Sequence, residues 1–143
     1  MFIGQFEHAI DEKGRLAVPA KFRRQLIGGA VLTKGLDGCL FLFPKVKWQK
    51  MAENIGQLPV SKSSGRLYAR LMLAGAAEAE FDKQGRIILP AYLRSYAGLG
   101  RQAVTIGLYD RVEIWNKAKW NKMIGKVENE AGRIAEELSD LGV

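Results

Sequence analysis

One phrase occurs twice in this chain, and it constrains the fold more than any other feature. Asp11-Glu12-Lys13-Gly14-Arg15-Leu16-Ala17-Val18-Pro19-Ala20 returns 71 positions later as Asp82-Lys83-Gln84-Gly85-Arg86-Ile87-Ile88-Leu89-Pro90-Ala91. Glu7 also maps onto Glu78, and Arg23 onto Arg94. That makes seven identities across residues 7–23, where unrelated segments give about one. A second block, Phe43-Pro44-Lys45-Val46-Lys47-Trp48, returns as Trp115-Asn116-Lys117-Ala118-Lys119-Trp120 at an offset of 72. The chain reads as two copies of one small unit within 143 residues. Each copy is short for a self-sufficient core, so the two are expected to share one.

Charge points to the class of partner. The chain carries a net +7, unevenly spread. Residues 128–143 hold Glu128, Glu130, Glu136, Glu137 and Asp140 against Arg133 alone, which leaves +11 on residues 1–127. A basic body with an acidic end favours a polyanion such as nucleic acid. The single cysteine, Cys39, excludes a disulfide within the chain, and one Cys with one His (His8) cannot form a usual structural zinc site. No metal or cofactor is expected. No apolar run is long enough to span a membrane, and Met1-Phe2-Ile3-Gly4 lacks the pattern of a signal peptide. A reducing, cytoplasmic setting is the expectation.

Each copy reads as strand, turn, strand, short helix, strand, strand. In the first, Glu7 to Ile10 leads into the turn Asp11–Gly14, and Arg15 to Val18 follows as a short apolar strand. Pro19 suits the first helical position of a helix from Ala20 to Leu26, closed by Gly28-Gly29. Ala30 to Thr33 and Cys39 to Phe43 are β-rich, with a turn at Gly35–Gly38. The second copy repeats this order through Glu78–Phe81, Arg86–Leu89, a helix Ala91–Tyr96, Ala103–Leu108 and Val112–Trp115. Between the copies lie a helix from Lys45, a linker-like stretch from Gly56 to Gly65, and a helix from Arg66 to Ala74 capped by Ser63 or Ser64, with Gly75 as its stop. At the end, Trp120, Ile124, Val127, Ala131, Ile134, Leu138 and Leu141 are spaced 4, 3, 4, 3, 4, 3. That predicts one helix with a continuous apolar seam, its first half on the protein's own body and its second half at a subunit contact.

Each position of the repeated turn has a physical task. Gly14 and Gly85 can take the positive φ of a tight hairpin turn without a Cβ clash. Asp11 and Asp82 can accept backbone N–H groups across it. Arg15 and Arg86 leave the turn on a strand whose other face is apolar. A rigid tip with a projecting Arg suits phosphate contact or bidentate guanine readout. Lys13 and Lys83 add charge near each tip without aligning with one another. Asp11–Arg15 and Asp82–Arg86 can also simply pair, a contact worth about 0–1 kcal/mol when exposed. The duplication, with Pro-Ala-x-x-Arg following both times, argues for more than that. Lys21, Arg23, Arg24 and Arg94 form a second candidate patch, readable also as the solvated face of a short helix with Phe22 and Leu26 inward.

These residues carry a resemblance. The stretches Gly4–Arg15, Asp37–Pro44 and Leu73–Ala77 leading into Asp82–Pro90, with the tail Ala135–Leu141, resemble the MraZ family, the two-copy members of the AbrB-like, swapped-hairpin superfamily of transcription regulators. The similarity covers nearly the whole chain. It implies a bacterial, nucleoid-associated repressor of its own division and cell-wall gene cluster. It also implies a ring homo-oligomer, often an octamer, docked on direct repeats in promoter DNA. The DNA-contacting residues it implies are Lys13, Arg15, Lys83 and Arg86. Gln84 stands where the first copy has Lys13, which makes the tips chemically unequal.

Other classes fit less well. An enzyme lacks ingredients: Cys39 lies in an apolar run, and no repeated Ser or Cys accompanies His8. An AbrB-like antitoxin that binds a toxin and autoregulates its operon would carry a polar tail that folds on binding, whereas this tail reads as a regular helix. RNA binding predicts exposed aromatics on a sheet, whereas Phe41, Phe43 and Trp115 lie in strands that read as buried. The expectation is an α+β protein: two AbrB-like copies (residues 5–47 and 76–119) in one pseudo-symmetric, β-barrel-like core, joined by a linker and helices (48–75) and followed by a C-terminal helix (120–143).

Overall fold

The computed structural model describes all residues, 1–143. In chain order the elements are β1 (Phe2–Ala9), β2 (Arg15–Ala17), α1 (Ala20–Arg23) with a 3-10 turn Arg24–Leu26, β3 (Ala30–Lys34), β4 (Leu40–Pro44), α2 (Lys45–Gly56) and α3 (Ser63–Met72). The second half follows with β5 (Ala77–Ala79), β6 (Arg86–Ile88), α4 (Ala91–Tyr96), β7 (Gln102–Tyr109), β8 (Val112–Asn116), α5 (Lys117–Asn129) and α6 (Ala131–Glu137).

The strands form a mixed α+β architecture around an antiparallel sheet of order β1-β7-β8-β4-β3-β5, with a separate ribbon β2-β6. This differs from a single closed barrel, because β1 and β5 are free edges. The copies exchange strands. β1 of the first copy pairs with β7 of the second, and β5 of the second pairs with β3 of the first. At the centre β4 meets β8 with Phe41 opposite Glu113, its own counterpart in the repeat, so a pseudo-dyad passes between them.

Alternation along the strands splits the interior in two. Leu32, Leu40, Leu42, Val112 and Ile114 face a cluster shared with Leu16, Ile87, Phe22 and Leu93 from the ribbon and short helices. Val31, Phe41, Phe43, Val104, Ile106 and Trp115 face a second cluster under α2 and α3, with Trp48, Ile55 and Met72. Strand side chains point alternately to opposite faces, so a sheet covered on both sides needs a strand that is apolar throughout. That is the pattern of β4, and β3 and β8 follow it except for the buried Thr33 and Glu113. Both clusters draw residues from both copies, so the copies share two cores rather than one.

Several local expectations change. The strands flanking each turn do not form a regular hairpin: Ile10 and Leu16 make one bridge, then β1 and β2 leave for different partners. A three-residue β2 alone would expose unpaired backbone groups, and β6 supplies them with partners. Pro19, Pro44 and Pro90 sit one residue before their helices, with ψ of 138°, 140° and 146°. The Pro19 carbonyl accepts from the N–H groups of Phe22 and Arg23, each at 2.9 Å, which is the task of an N-cap residue. Helix α3 starts at Ser63 and ends at Met72, so neither serine caps it, and the linker narrows to residues 57–62. The last helix breaks at Glu130 (φ −107°, ψ 7°) into α5 and α6, and neither piece contains a buried residue. No helix is long and apolar enough to cross a membrane.

Candidate nucleic-acid interface

The two turns are built alike, bond for bond. In the first, Gly14 N–H donates to the Asp11 carbonyl at 3.0 Å, and Asp11 N–H donates to the Arg15 carbonyl at 3.1 Å. The second closes at 3.0 and 2.9 Å through Gly85, Asp82 and Arg86. Gly14 and Gly85 have φ of 76° and 75°, where a side chain would strain the backbone. Oδ1 of Asp11 accepts from the N–H groups of Lys13 (3.0 Å) and Arg15 (2.9 Å), and Oδ1 of Asp82 accepts from Gln84 and Arg86, both at 2.9 Å.

The other carboxylate oxygen orients the arginine. Nε of Arg15 donates to Asp11 Oδ2 at 2.6 Å, and Nε of Arg86 to Asp82 Oδ2 at 2.9 Å. The expected Asp–Arg pairs therefore form, but through Nε only. Neither Nη of Arg15 has a partner within the chain, and Nη1 of Arg86 is 3.8 Å from Asp11 Oδ2, across to the other turn. Backbone N–H donation from Arg15 is the foremost cause that holds the Asp11 carboxyl below the usual carboxylate range, and donation from Arg86 does the same for Asp82. Both carboxylates thus stay ionised at neutral pH and keep each guanidinium fork fixed.

The ribbon brings the turns side by side. Arg15 lies opposite Ile88, Leu16 opposite Ile87 and Ala17 opposite Arg86. Leu16 and Ile87 are fully buried, so Arg15, Ala17, Arg86 and Ile88 share the outer face. The ribbon is extended at both ends by Leu89 N–H to the Gly14 carbonyl (2.8 Å) and Val18 N–H to the Gly85 carbonyl (3.1 Å). Lys13 and Lys83 are exposed beside the tips, as are Lys21 on α1 and Arg24 on the 3-10 turn that follows it.

Arg23 and Arg94 occupy a different place. Each is partly buried and donates to a strand-end carbonyl: Arg23 Nη1 to Val18 at 2.6 Å, Arg94 Nε to Leu89 at 2.9 Å. Each guanidinium also rests against the turn glycine of the other copy, Arg23 at Gly85 and Arg94 at Gly14. These two arginines brace the turns from beneath. Sequence reasoning also missed Ile88, whose signal was the alternation Arg86-Ile87-Ile88 with one isoleucine on each face.

The remaining reactive groups lie apart. Cys39 is buried, and that burial, reinforced by the charges of Glu113 and Asp37, pushes its thiol far up, so it is not a nucleophile at neutral pH. His8 sits on β1 with its Nε2 buried and unpaired, and desolvation lowers its pKa. No three His, Cys, Asp or Glu side chains converge as a metal cage.

The sequence matches the model of the family described as "MraZ protein, putative antitoxin-like" twice, over residues 1–71 and 72–141. The chain belongs to the MraZ family. It is 49% identical over 143 residues, the full length of both chains, to a protein of Pediococcus pentosaceus named Transcriptional regulator MraZ. MraZ relatives of the same name in Natranaerobius thermophilus and Syntrophomonas wolfei are 48% and 43% identical, again over the full length of both chains.

Proposed function

We propose that the chain is a sequence-specific, DNA-binding transcriptional regulator without enzymatic activity, and that its two Asp-x-x-Gly-Arg turns and the ribbon between them form the DNA-contacting edge. The single observation that carries this reading is the outward face of the β2-β6 ribbon. Two arginines, each fixed through Nε by its own aspartate, stand on one short surface, Arg15 with both Nη groups free and Arg86 with only a 3.8 Å ion pair from Nη1 to Asp11. A two-stranded ribbon is narrow enough to enter the major groove, and an Arg fork matches the O6 and N7 acceptors of guanine. Lys13 and Lys83 supply phosphate contacts at the tips, with Lys21 and Arg24 as further ones. The names of full-length relatives support transcription regulation.

The exchange of strands between copies fits the AbrB-like, swapped-hairpin organisation, with copies at 5–47 and 76–119. Resemblance to the family extends the reading to a ring homo-oligomer on direct repeats, repressing its own division and cell-wall cluster from the cytoplasm and nucleoid. A second reading, an antitoxin, has the family's description as antitoxin-like in its favour. Co-purification of a toxic partner would put it first. The test of the main reading is a binding assay with DNA upstream of the protein's own gene, scrambled DNA as control, and salt varied. Tighter binding to the native sequence at every salt concentration is expected, and equal binding to both would refute sequence-specific recognition.

A further inference from the structure

We propose that Ile88 is a base-reading residue whose side chain takes the C5-methyl group of a thymine in the major groove; this rests on the DNA-binding reading above. The outer face of the ribbon holds only four side chains, with Arg15 beside Ile88 on one rung and Ala17 beside Arg86 on the other. Ile88 is 63% exposed, whereas its neighbour Ile87 is fully buried. The fold does not require bulk at position 88, because the equivalent position of the first copy holds Ala17. Directly opposed residues of an antiparallel pair have Cβ atoms roughly 5 Å apart, so Ile88 and Arg15 address neighbouring positions on whatever lies across the ribbon.

The chemistry of DNA then selects the partner. In the major groove, the thymine methyl is the one apolar group that base edges present, beside the acceptors that arginine takes from guanine. The minor groove offers acceptors and an amino group but no methyl. An isoleucine beside an Arg therefore suits a thymine next to a guanine. The same pair on the other rung, Ala17 and Arg86, offers a single methyl in place of the isoleucine side chain, so its apolar contact with a thymine is smaller. The pseudo-dyad of the ribbon is thus broken at its reading surface. A site read this way has a direction, and one protomer docks on it in one orientation.

The test compares two preparations of the same duplex, the DNA upstream of the protein's own gene, amplified with dTTP or with dUTP. Uracil pairs as thymine does but lacks the methyl. The full-length native protein should lose affinity by about fourfold or more on the uracil duplex, the factor that goes with one methyl-sized burial. Ile88→Ala, matching the residue already present in the first copy, should bind the thymine duplex as weakly as the native protein binds the uracil one. It should show little further loss on uracil. Ile88→Val should retain most of the discrimination. Equal losses on uracil by native and Ile88→Ala proteins, or no loss by the native protein, would overturn the assignment. If the native protein does not prefer the thymine duplex over scrambled DNA, sequence-specific recognition itself fails, and the assignment of Ile88 falls with it.

Discussion

Arg94 lies against Gly14, a turn residue of the other copy: a Cβ added at Gly14 would sit 2.9 Å from both Nε and Cζ of that guanidinium. The reciprocal contact joins Arg23 to Gly85. Each turn is therefore shaped from within by its own aspartate and held from beneath by the opposite copy. Gly14→Ala should destabilise the protein by about 1–2 kcal/mol from the left-handed backbone alone, with a further loss from displacing Arg94. Because the two residues touch, Gly14→Ala/Arg94→Ala should cost less than the sum of the single changes. Urea unfolding of the four proteins in the cycle measures this, and strict additivity would remove Arg94 from the role of brace.

The aspartates make the turns sensitive to acid. Asp11 and Asp82 titrate lower in the folded chain than in the unfolded one, so the unfolded state binds more protons between the two values. Their contribution is complete above the ordinary aspartate pKa of about 3.9 and is lost as pH falls through the depressed folded values. Thermal midpoints measured from pH 7 downwards should drop across that window. Asp11→Asn/Asp82→Asn should be less stable at pH 7 and show a flatter decline. A decline as steep as that of the native protein would assign the acid sensitivity to other groups.

The tail offers a separable test. Helix α6 and the residues after it contain no buried residue, Ile134 being half-buried, and Leu138, Leu141 and Val143 are exposed. Removing residues 131–143 should leave the thermal midpoint nearly unchanged. If the tail is the proposed subunit contact, the same truncation should lower the mass seen by light scattering. An unchanged mass would place the contact elsewhere.

Much of this architecture was legible because the repeat is written in residue types with narrow physical tasks. Gly14 and Gly85 announced positive φ, Asp11 and Asp82 announced acceptors, and alternating or continuous apolar runs announced strands. The partner of each strand was not legible. Arg15–Ala17 can pair with either neighbour, and only the need to satisfy its backbone across the pseudo-dyad selects β6. Arg23 and Arg94 read from the sequence as a further DNA-contact patch or as solvated helix charges, because nothing in their neighbours along the chain reveals a glycine from the other copy. The seam from Trp120 to Leu141 kept its heptad spacing through Glu130, where the backbone leaves the helix. Gly125 and Gly132, each about 1 kcal/mol poorer than Ala in a helix, were the sole warning of that break.

The most direct test measures the affinity of Arg15→Ala/Arg86→Ala for the upstream DNA and for scrambled DNA across a range of salt concentrations. If the arginines read bases, each single change should weaken specific binding by about 1–3 kcal/mol and relax sequence preference, and the double change should bring specific binding close to the non-specific level. If they touch phosphate alone, the loss should be uniform across sequences, with the salt slope falling by about 1 for each. Unchanged affinity of the double variant for the upstream DNA would contradict the assignment of the paired turns to DNA.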